Sequence, residues 1–226
     1  MDELTFAAAV DIAAAIKSKR VSSREITQHY IDRIETLDGA VNAVCVRLFE
    51  QALEAADRAD SGLAQGETGP LHGVPMSIKE SYVLADTPAT WGIPAYRDNV
   101  ASADGVAVSR FKAAGAHFLG KTNVPIDLGD FQSFNEIYGT TNNPWNFERT
   151  PGGSSGGSAA TIRRSPRISR GSAATTTEVD EVGKRPHTRP EQCTSVDLAI
   201  ALTAYRQSSS DIFITLSLQN INQTDI

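Results

Sequence analysis

The first 160 residues of this 226-residue sequence predict a layered α/β fold. Segments with apolar residues at helical spacing alternate with short strand-like runs, and a helix is closely followed by a strand several times. No uninterrupted apolar run reaches the ~18 residues of a membrane span. The composition is 40% hydrophobic and 21% charged, which is typical of globular proteins and excludes collagenous, coiled-coil and wholly disordered classes.

The first predicted helix begins at a capping box. Ser22 precedes Glu25 by three residues, so that the hydroxyl and the carboxylate can each accept from a backbone N–H at the helix start. Apolar residues then follow at helical spacing: Ile26, Tyr30, Ile34 and Leu37. The Asp38-Gly39 pair predicts that the helix ends at Leu37.

Shorter elements follow in the same alternation. Residues 42–46 predict a short buried strand, and residues 49–60 predict a second amphipathic helix with Leu53 and Ala56 facing inward. Residues 73–78 predict a strand that is entered through a turn.

A third helix and strand complete the first part of the chain. Residues 104–114 have an acidic first residue and place Val108 and Phe111 on one helix face. Gly115 predicts the C-terminal stop of this helix, and residues 116–119 predict the next strand.

The chain changes character near Ala160. Residues 1–160 carry 13 Lys and Arg against 20 Asp and Glu, whereas residues 161–226 carry 8 against 7 and contain 17 Ser and Thr. In the second part, periodicity returns only at a predicted short helix, 196–205, and a predicted strand, 211–218. We therefore predict an N-terminal part, 1–160, and an unrelated, largely irregular C-terminal tail, 161–226, of the kind that a frameshift or a mis-called exon would produce.

Composition and spacing also exclude several kinds of site and partner. Cys45 and Cys193 have no metal-ligand spacing and form no disulfide framework, so neither a metal nor a cofactor is predicted. Four arginines between residues 163 and 170 lack interleaved aromatic residues in a chain of net charge -6, which favours a solvated segment over a nucleic-acid arm. The acidic start, with Asp2 and Glu3, is unlike a secretory signal and predicts a cytoplasmic protein without a membrane partner.

Lys79 is the first candidate for chemistry. It directly follows the apolar run 74–78 and precedes Glu80. A lysine at the end of a buried strand loses charge through desolvation, which lowers its pKa and allows it to act as a general base. The alternative is a surface lysine paired with a carboxylate.

The second candidate is the segment PGGSSGGSAA at residues 151–160. Two hydroxyls between paired glycines suit a loop whose backbone N–H groups and Oγ atoms approach a ligand, although a flexible linker has the same composition. No Gly-Lys-Ser/Thr completes a phosphate-binding loop. A general base without histidine needs a hydroxyl relay, and a lysine with a serine supplies one.

Six ordered motifs carry a resemblance to a known family. They are GVPMSIKE at 73–80, TWG at 90–92, AAGA at 113–116, GKTNVP at 120–125, YGTTNNPW at 138–145 and the Gly/Ser loop. Over about residues 1–160 the chain resembles the amidase signature family. The resemblance implies a partial, truncated amidase-signature fold, a mixed sheet flanked by helices. It also implies hydrolysis of carboxylic amides, or transfer of their ammonia, through a Ser-Ser-Lys acyl-enzyme mechanism.

The resemblance implies roles for individual residues. Lys79 matches the catalytic lysine that acts as base, and Ser154 matches the middle serine, which relays the proton and is held by a cis peptide bond. Gly152, Gly153, Ser155 and Gly156 would shape the substrate-binding loop. The implied partner is a small-molecule amide substrate.

The family's nucleophilic serine has no counterpart at the expected position. It lies about two dozen residues beyond the middle serine, in a second glycine-rich stretch, whereas residues 175–180 here read TTTEVD. Ser172 is several positions early and lacks paired glycines, and Ser158 is too close to Ser154. We therefore expect an amidase-family chain with little or no activity. The alternatives are the amidase component of a transfer-RNA-dependent amidotransferase, or a non-catalytic interaction protein.

Overall fold

The computed structural model describes residue 1 and residues 3–162. The predicted elements at 196–205 and 211–218, the arginines from residue 163 onward, Ser172 and the window 175–180 lie outside these residues. The helices in the described part are α1 (Ala9–Lys17), α2 (Ser23–Val41), α3 (Phe49–Ala64), α4 (Val106–Ala113) and α5 (Gly156–Thr161). The strands there are β1 (Val44–Arg47), β2 (Pro75–Lys79), β3 (His117–Thr122), β4 (Phe134–Asn135) and β5 (Gly139–Thr140).

Three strands form a mixed sheet in the order β1-β3-β2. β3 pairs antiparallel with β1 and parallel with β2, and Lys79 lies opposite Thr122 in the register. The connection from β2 to β3 contains α4, as parallel neighbours require a crossover. β4 and β5 form a separate two-stranded antiparallel pair. The predicted α/β class and mixed sheet are confirmed.

Helices cover both faces of this sheet. Phe118 packs with Val108 of α4 on one face, whereas the next residue, Leu119, packs with Ile31 of α2 and Ala52 of α3 on the other. Successive residues of a strand point to opposite faces, so β3 connects two apolar layers. β3 is the central strand of this sheet, and all six of its residues are buried.

The capping box of α2 is present, but the helix is longer than predicted. Glu25 N donates to Ser22 Oγ, and Ser22 N donates to Glu25 Oε2. The helix continues through Asp38 and the exposed Gly39 to Val41 and ends where Asn42 takes a left-handed conformation, φ 54°. A glycine at an exposed helix position costs only about 1 kcal/mol, too little to end a helix that buries its other face.

Several other predicted boundaries were wrong by a few residues. α3 extends to Ala64, β1 begins only at Val44, and β3 extends to Thr122 because its whole length is buried. α4 begins at Val106, since the Asp104 carboxylate instead accepts from Ala85 N and Lys112 Nζ.

The predicted stop at Gly115 is confirmed and has a steric reason. Gly115 has φ +94°, and a Cβ there would lie 2.7 Å from His72 Cα. Only glycine allows this close approach.

Helix α1 was not predicted. Its buried residues follow helical spacing: Ala9, Ile12, Ala15 and Ile16. They pack with Val21, Ile26 and Val74 in the largest apolar cluster of the described part. The spacing was visible in the sequence, but alanine is weakly apolar and blurs the periodicity.

In residue 1 and residues 3–162, no helix has the length and apolar character needed to cross a membrane.

The burial of His117 predicts that the folded protein loses stability in mild acid. It is 7% exposed, its Nε2 lies 2.9 Å from Thr27 Oγ1, and its Nδ1 has no hydrogen-bond partner among the described residues. Burial lowers its pKa to about 4, with a smaller lowering effect from Arg58 and an opposing one from Asp60. Between pH 6.5 and 4 the unfolded chain therefore binds a proton that the folded chain does not, and stability falls as the pH falls.

We expect the free energy of unfolding to drop by about 3 kcal/mol across that window, as 1.36 kcal/mol per pKa unit implies. Urea unfolding at a series of pH values measures it, and His117→Gln should flatten the profile. An equally steep profile in that variant would show that other groups cause the loss.

Candidate active site

Lys79 is held at the end of β2 and is directed at a hydroxyl. Its Nζ donates to Ser154 Oγ at 2.7 Å across 75 residues of sequence. The side chain is half-buried, and desolvation lowers the pKa of Lys79 to about 8. The ion pairs of the described residues do not include Lys79, so the alternative of a carboxylate-paired surface lysine finds no support there.

Ser154 lies in a tightly packed loop. The Gly153–Ser154 peptide bond is cis. A Cβ on Gly153 would lie 2.4 Å from Gln132 O and 2.5 Å from Asp130 O, so this position accepts only glycine without a shift of the backbone. The loop therefore lies directly on the segment that precedes β4.

The second half of the predicted Gly/Ser loop is a helix. Residues 156–161 form α5, whose Ser158 Oγ lies 2.7 Å from Thr122 Oγ1 of β3. A Cβ on Gly157 would lie 2.4 Å from Asn123 N, which shows how closely the helix approaches the end of β3. The paired glycines thus allow close packing here. Composition alone does not distinguish such a packed segment from a flexible linker.

The residues predicted to bind substrate stay predictions, but two of their amides have partners inside the protein. Gly156 N donates to Ser133 Oγ at 3.0 Å, and Gly152 N donates to Thr150 Oγ1 at 3.1 Å. Ser155 is half-buried and its carbonyl accepts from the first turn of α5. Ser154 Oγ, at the centre of the loop, is the hydroxyl that the geometry directs at Lys79.

Glu80 organises the region next to Lys79, and its sequence neighbours gave no sign of this role. It is fully buried and accepts hydrogen bonds from Thr90 N, Thr90 Oγ1, Trp91 N and Tyr138 OH, at 2.7 to 3.1 Å. Burial raises the pKa of the Tyr138 hydroxyl. Glu80 thus brings together three of the motifs that were recognised separately, at 73–80, 90–92 and 138–145.

Lys121 is a lysine whose complete burial was not predicted from the sequence. It is fully buried, and its Nζ donates to Pro88 O and Thr87 Oγ1. Burial lowers the pKa of Lys121, and the charge of Glu80 opposes this effect. The side chain stabilises the loop that follows β2 and makes no hydrogen bond to Ser154.

The arrangement can move a proton between an amine and a hydroxyl. At a pKa of about 8, a substantial fraction of Lys79 is neutral at moderately alkaline pH and can accept a proton from Ser154. In the described part of the chain, Lys79 Nζ is the one side-chain group hydrogen-bonded to Ser154 Oγ. The same part holds no cluster of three His, Cys, Asp or Glu that could bind a metal ion.

Comparison with known proteins identifies the family. The Amidase family model matches residues 25–168. The chain is 40% identical over 161 residues to the A subunit of the glutamyl-tRNA(Gln) amidotransferase of Corynebacterium diphtheriae, covering 70% of this chain and 33% of that protein. For its counterpart in Thioalkalivibrio sulfidiphilus the identity is 41% over 162 residues, with 72% and 33% covered.

Solved structures agree with the sequence relatives. A bacterial aryl acylamidase of the amidase signature family superposes with a TM-score of 0.66 at 32% identity, covering 70% of this chain and 33% of that one. Fatty acid amide hydrolase gives a TM-score of 0.68 at 30% identity, covering 70% and 28%. The chain spans about a third of the length of the curated relatives it matches. With a family match over more than half of its residues and the same fold in that region, the chain belongs to the amidase signature family.

Proposed function

We propose that residues 1–160 form the base-and-relay half of an amide-hydrolysing Ser-Ser-Lys site, and that this chain alone hydrolyses amides little or not at all. The observation that carries the proposal is the 2.7 Å hydrogen bond from Lys79 Nζ to Ser154 Oγ, made by a lysine whose pKa is lowered to about 8. A strongly lowered lysine pKa beside a hydroxyl is typical of a functional site.

In the proposed reaction, neutral Lys79 takes the proton of Ser154 while Ser154 takes that of a second, nucleophilic serine. The nucleophile's oxygen bonds to the amide carbon, and the C–N bond breaks as the proton returns through Ser154 to the departing nitrogen. Water then hydrolyses the acyl-enzyme by the same relay. Neither a metal nor a redox cofactor takes part in these steps.

The missing component is the nucleophile itself. Residues 175–180 read TTTEVD where the family resemblance places a glycine-rich segment with the reactive serine. We propose that residues 161–226 come from a shifted reading frame or a mis-called exon. Translating the other two frames downstream of Ala160 tests this origin, and finding no Gly-Gly-Ser segment in either frame would contradict it.

A second candidate function is that of the amidase component of a transfer-RNA-dependent amidotransferase. The supporting observation is that the curated relatives at 38–41% identity are glutamyl-tRNA(Gln) amidotransferase A subunits. Such a protein would release ammonia from an amide and pass it to an acceptor bound by partner proteins. Both candidates use the same lysine and serine, and both fit a cytoplasmic location.

Labelling by a fluorophosphonate probe tests the proposal on the purified 226-residue chain. Because such probes react with activated serines, we expect no labelling above that of Ser154→Ala and no release of ammonia from simple amides. Lys112→Ala is the matched control, since Lys112 pairs with Asp104 on the surface. Labelling of one serine that persists in Lys112→Ala and disappears in Lys79→Ala would overturn the proposed inactivity. Stable binding of another protein without labelling would favour an interaction role.

A further inference from the structure

Ser133 binds the loop of Ser154 on both sides. Its side-chain oxygen accepts a hydrogen bond from Gly156 N at 3.0 Å and donates to Gly152 O at 3.4 Å. These two loop residues lie two positions after and two positions before Ser154. Ser133 is 1% exposed, so loss of its hydroxyl would leave these two loop groups without a partner in a buried place.

Ser133 is itself fixed by its surroundings. Its carbonyl accepts from Thr141 N at 2.8 Å, directly beyond the β4–β5 pair. A Cβ on Gly156 would lie 2.5 Å from Ser133 Oγ, so the loop backbone sits against the hydroxyl with no space between them. A displacement of this hydroxyl would therefore move the loop.

The loop in turn sets the environment of Lys79. It places Ser154 Oγ 2.7 Å from Lys79 Nζ, and it therefore lies against the Lys79 side chain at the end of β2. β2 is an outer strand of the described sheet. A hydrogen bond weakens steeply when its length and angle depart from the optimum, so a shift of about 1 Å would break this one.

We propose that Ser133 is a positioning residue that holds Ser154 within hydrogen-bonding distance of Lys79. Its importance for catalysis rests on the proposed function, whereas its effect on Lys79 does not. The Ser133 side chain makes no hydrogen bond to Lys79 or Ser154, and it acts through the backbone of Gly152 and Gly156.

Thr141 offers a matched control for a purely structural role. It is 1% exposed, and its Oγ1 donates to Asn42 O at 2.7 Å. Thr141→Val removes a buried hydroxyl close to β4 and β5, as Ser133→Ala does, but the Thr141 hydroxyl makes no hydrogen bond to residues 152–156. Both variants lose buried hydrogen bonds, but only Ser133→Ala loosens the loop of Ser154.

The experiment is titration of Lys79 in the 226-residue chain by NMR of isotopically labelled lysine side chains, with Lys79→Arg assigning the signal. We expect Ser133→Ala to raise the measured pKa by about one unit or more, because a loosened loop admits water to the amine. Thr141→Val should leave the pKa of Lys79 unchanged.

An unchanged Lys79 pKa in Ser133→Ala, or an equal shift in Thr141→Val, would overturn the proposal. If Ser133→Ala does not fold, Ser133→Cys replaces the hydroxyl by a larger group that is a weaker acceptor, and the same direction of shift is expected. Serine labelling that is independent of Lys79 would refute the proposed function while leaving this titration intact, so the two failures are distinguishable.

Discussion

Replacing residues 161–226 by the part of the bacterial aryl acylamidase that follows its matched region should raise aryl-amide hydrolysis by about 10⁵-fold or more over the original chain. In a serine hydrolase, loss of the nucleophile costs about 10⁶ in turnover, and the replacement supplies that residue. The described part already holds Lys79 and Ser154 in contact, at 2.7 Å. Release of a chromogenic aniline measures the rate.

Two substitutions in this hybrid separate the lysine–serine pair from the transplanted segment. Lys79→Met and Ser154→Ala should each return the rate to near background, because the nucleophile then has no base or no relay. Lys112→Ala, on the surface, should leave it unchanged. A folded, monodisperse hybrid without activity would contradict the assignment of Lys79 as base and Ser154 as relay. A hybrid that stays active after Lys79→Met would contradict it as well.

Each residue of the pair was a candidate from its local sequence, and the family resemblance favoured the functional interpretation over the alternatives. Lys79 follows a run of apolar residues, and Ser154 lies between paired glycines, so each has a signal within a few residues of itself. Their 2.7 Å contact joins positions 75 residues apart and was expected only from the family resemblance. The capping box of α2 was predictable for the same reason, since Ser22 and Glu25 are three residues apart.

The roles of Glu80 and Ser133, which support the lysine–serine pair, could not be predicted because their hydrogen-bond partners are distant in sequence. Glu80 bonds Tyr138, 58 positions away, and Ser133 bonds Gly156, 23 positions away. Nothing near either residue distinguishes a buried acceptor from an ordinary surface group. Element boundaries were wrong for a related reason, as burial of β3 and the side-chain contacts of Asp104 override local stop and start signals.

The supporting residue with the largest expected effect is Glu80. Glu80→Ala should lower the free energy of unfolding by about 3–5 kcal/mol, a large share of the 5–15 kcal/mol that is typical of a domain. The substitution removes the acceptor of four hydrogen bonds from Thr90, Trp91 and Tyr138 and leaves the fully buried Thr90 N without its acceptor. It also removes the negative charge that favours the protonated form of fully buried Lys121.

Two comparisons separate this cause from a general loss of negative charge. Glu54→Ala removes an exposed carboxylate that pairs with Arg58 at 3.9 Å, and it should change the free energy of unfolding by less than about 0.5 kcal/mol. Adding Lys121→Met to Glu80→Ala should recover part of the loss, because the uncompensated buried cation is then gone. Urea unfolding followed by circular dichroism measures all three variants. A loss below about 1 kcal/mol for Glu80→Ala would mean that the motifs at 90–92 and 138–145 hold their places beside Lys79 without this carboxylate.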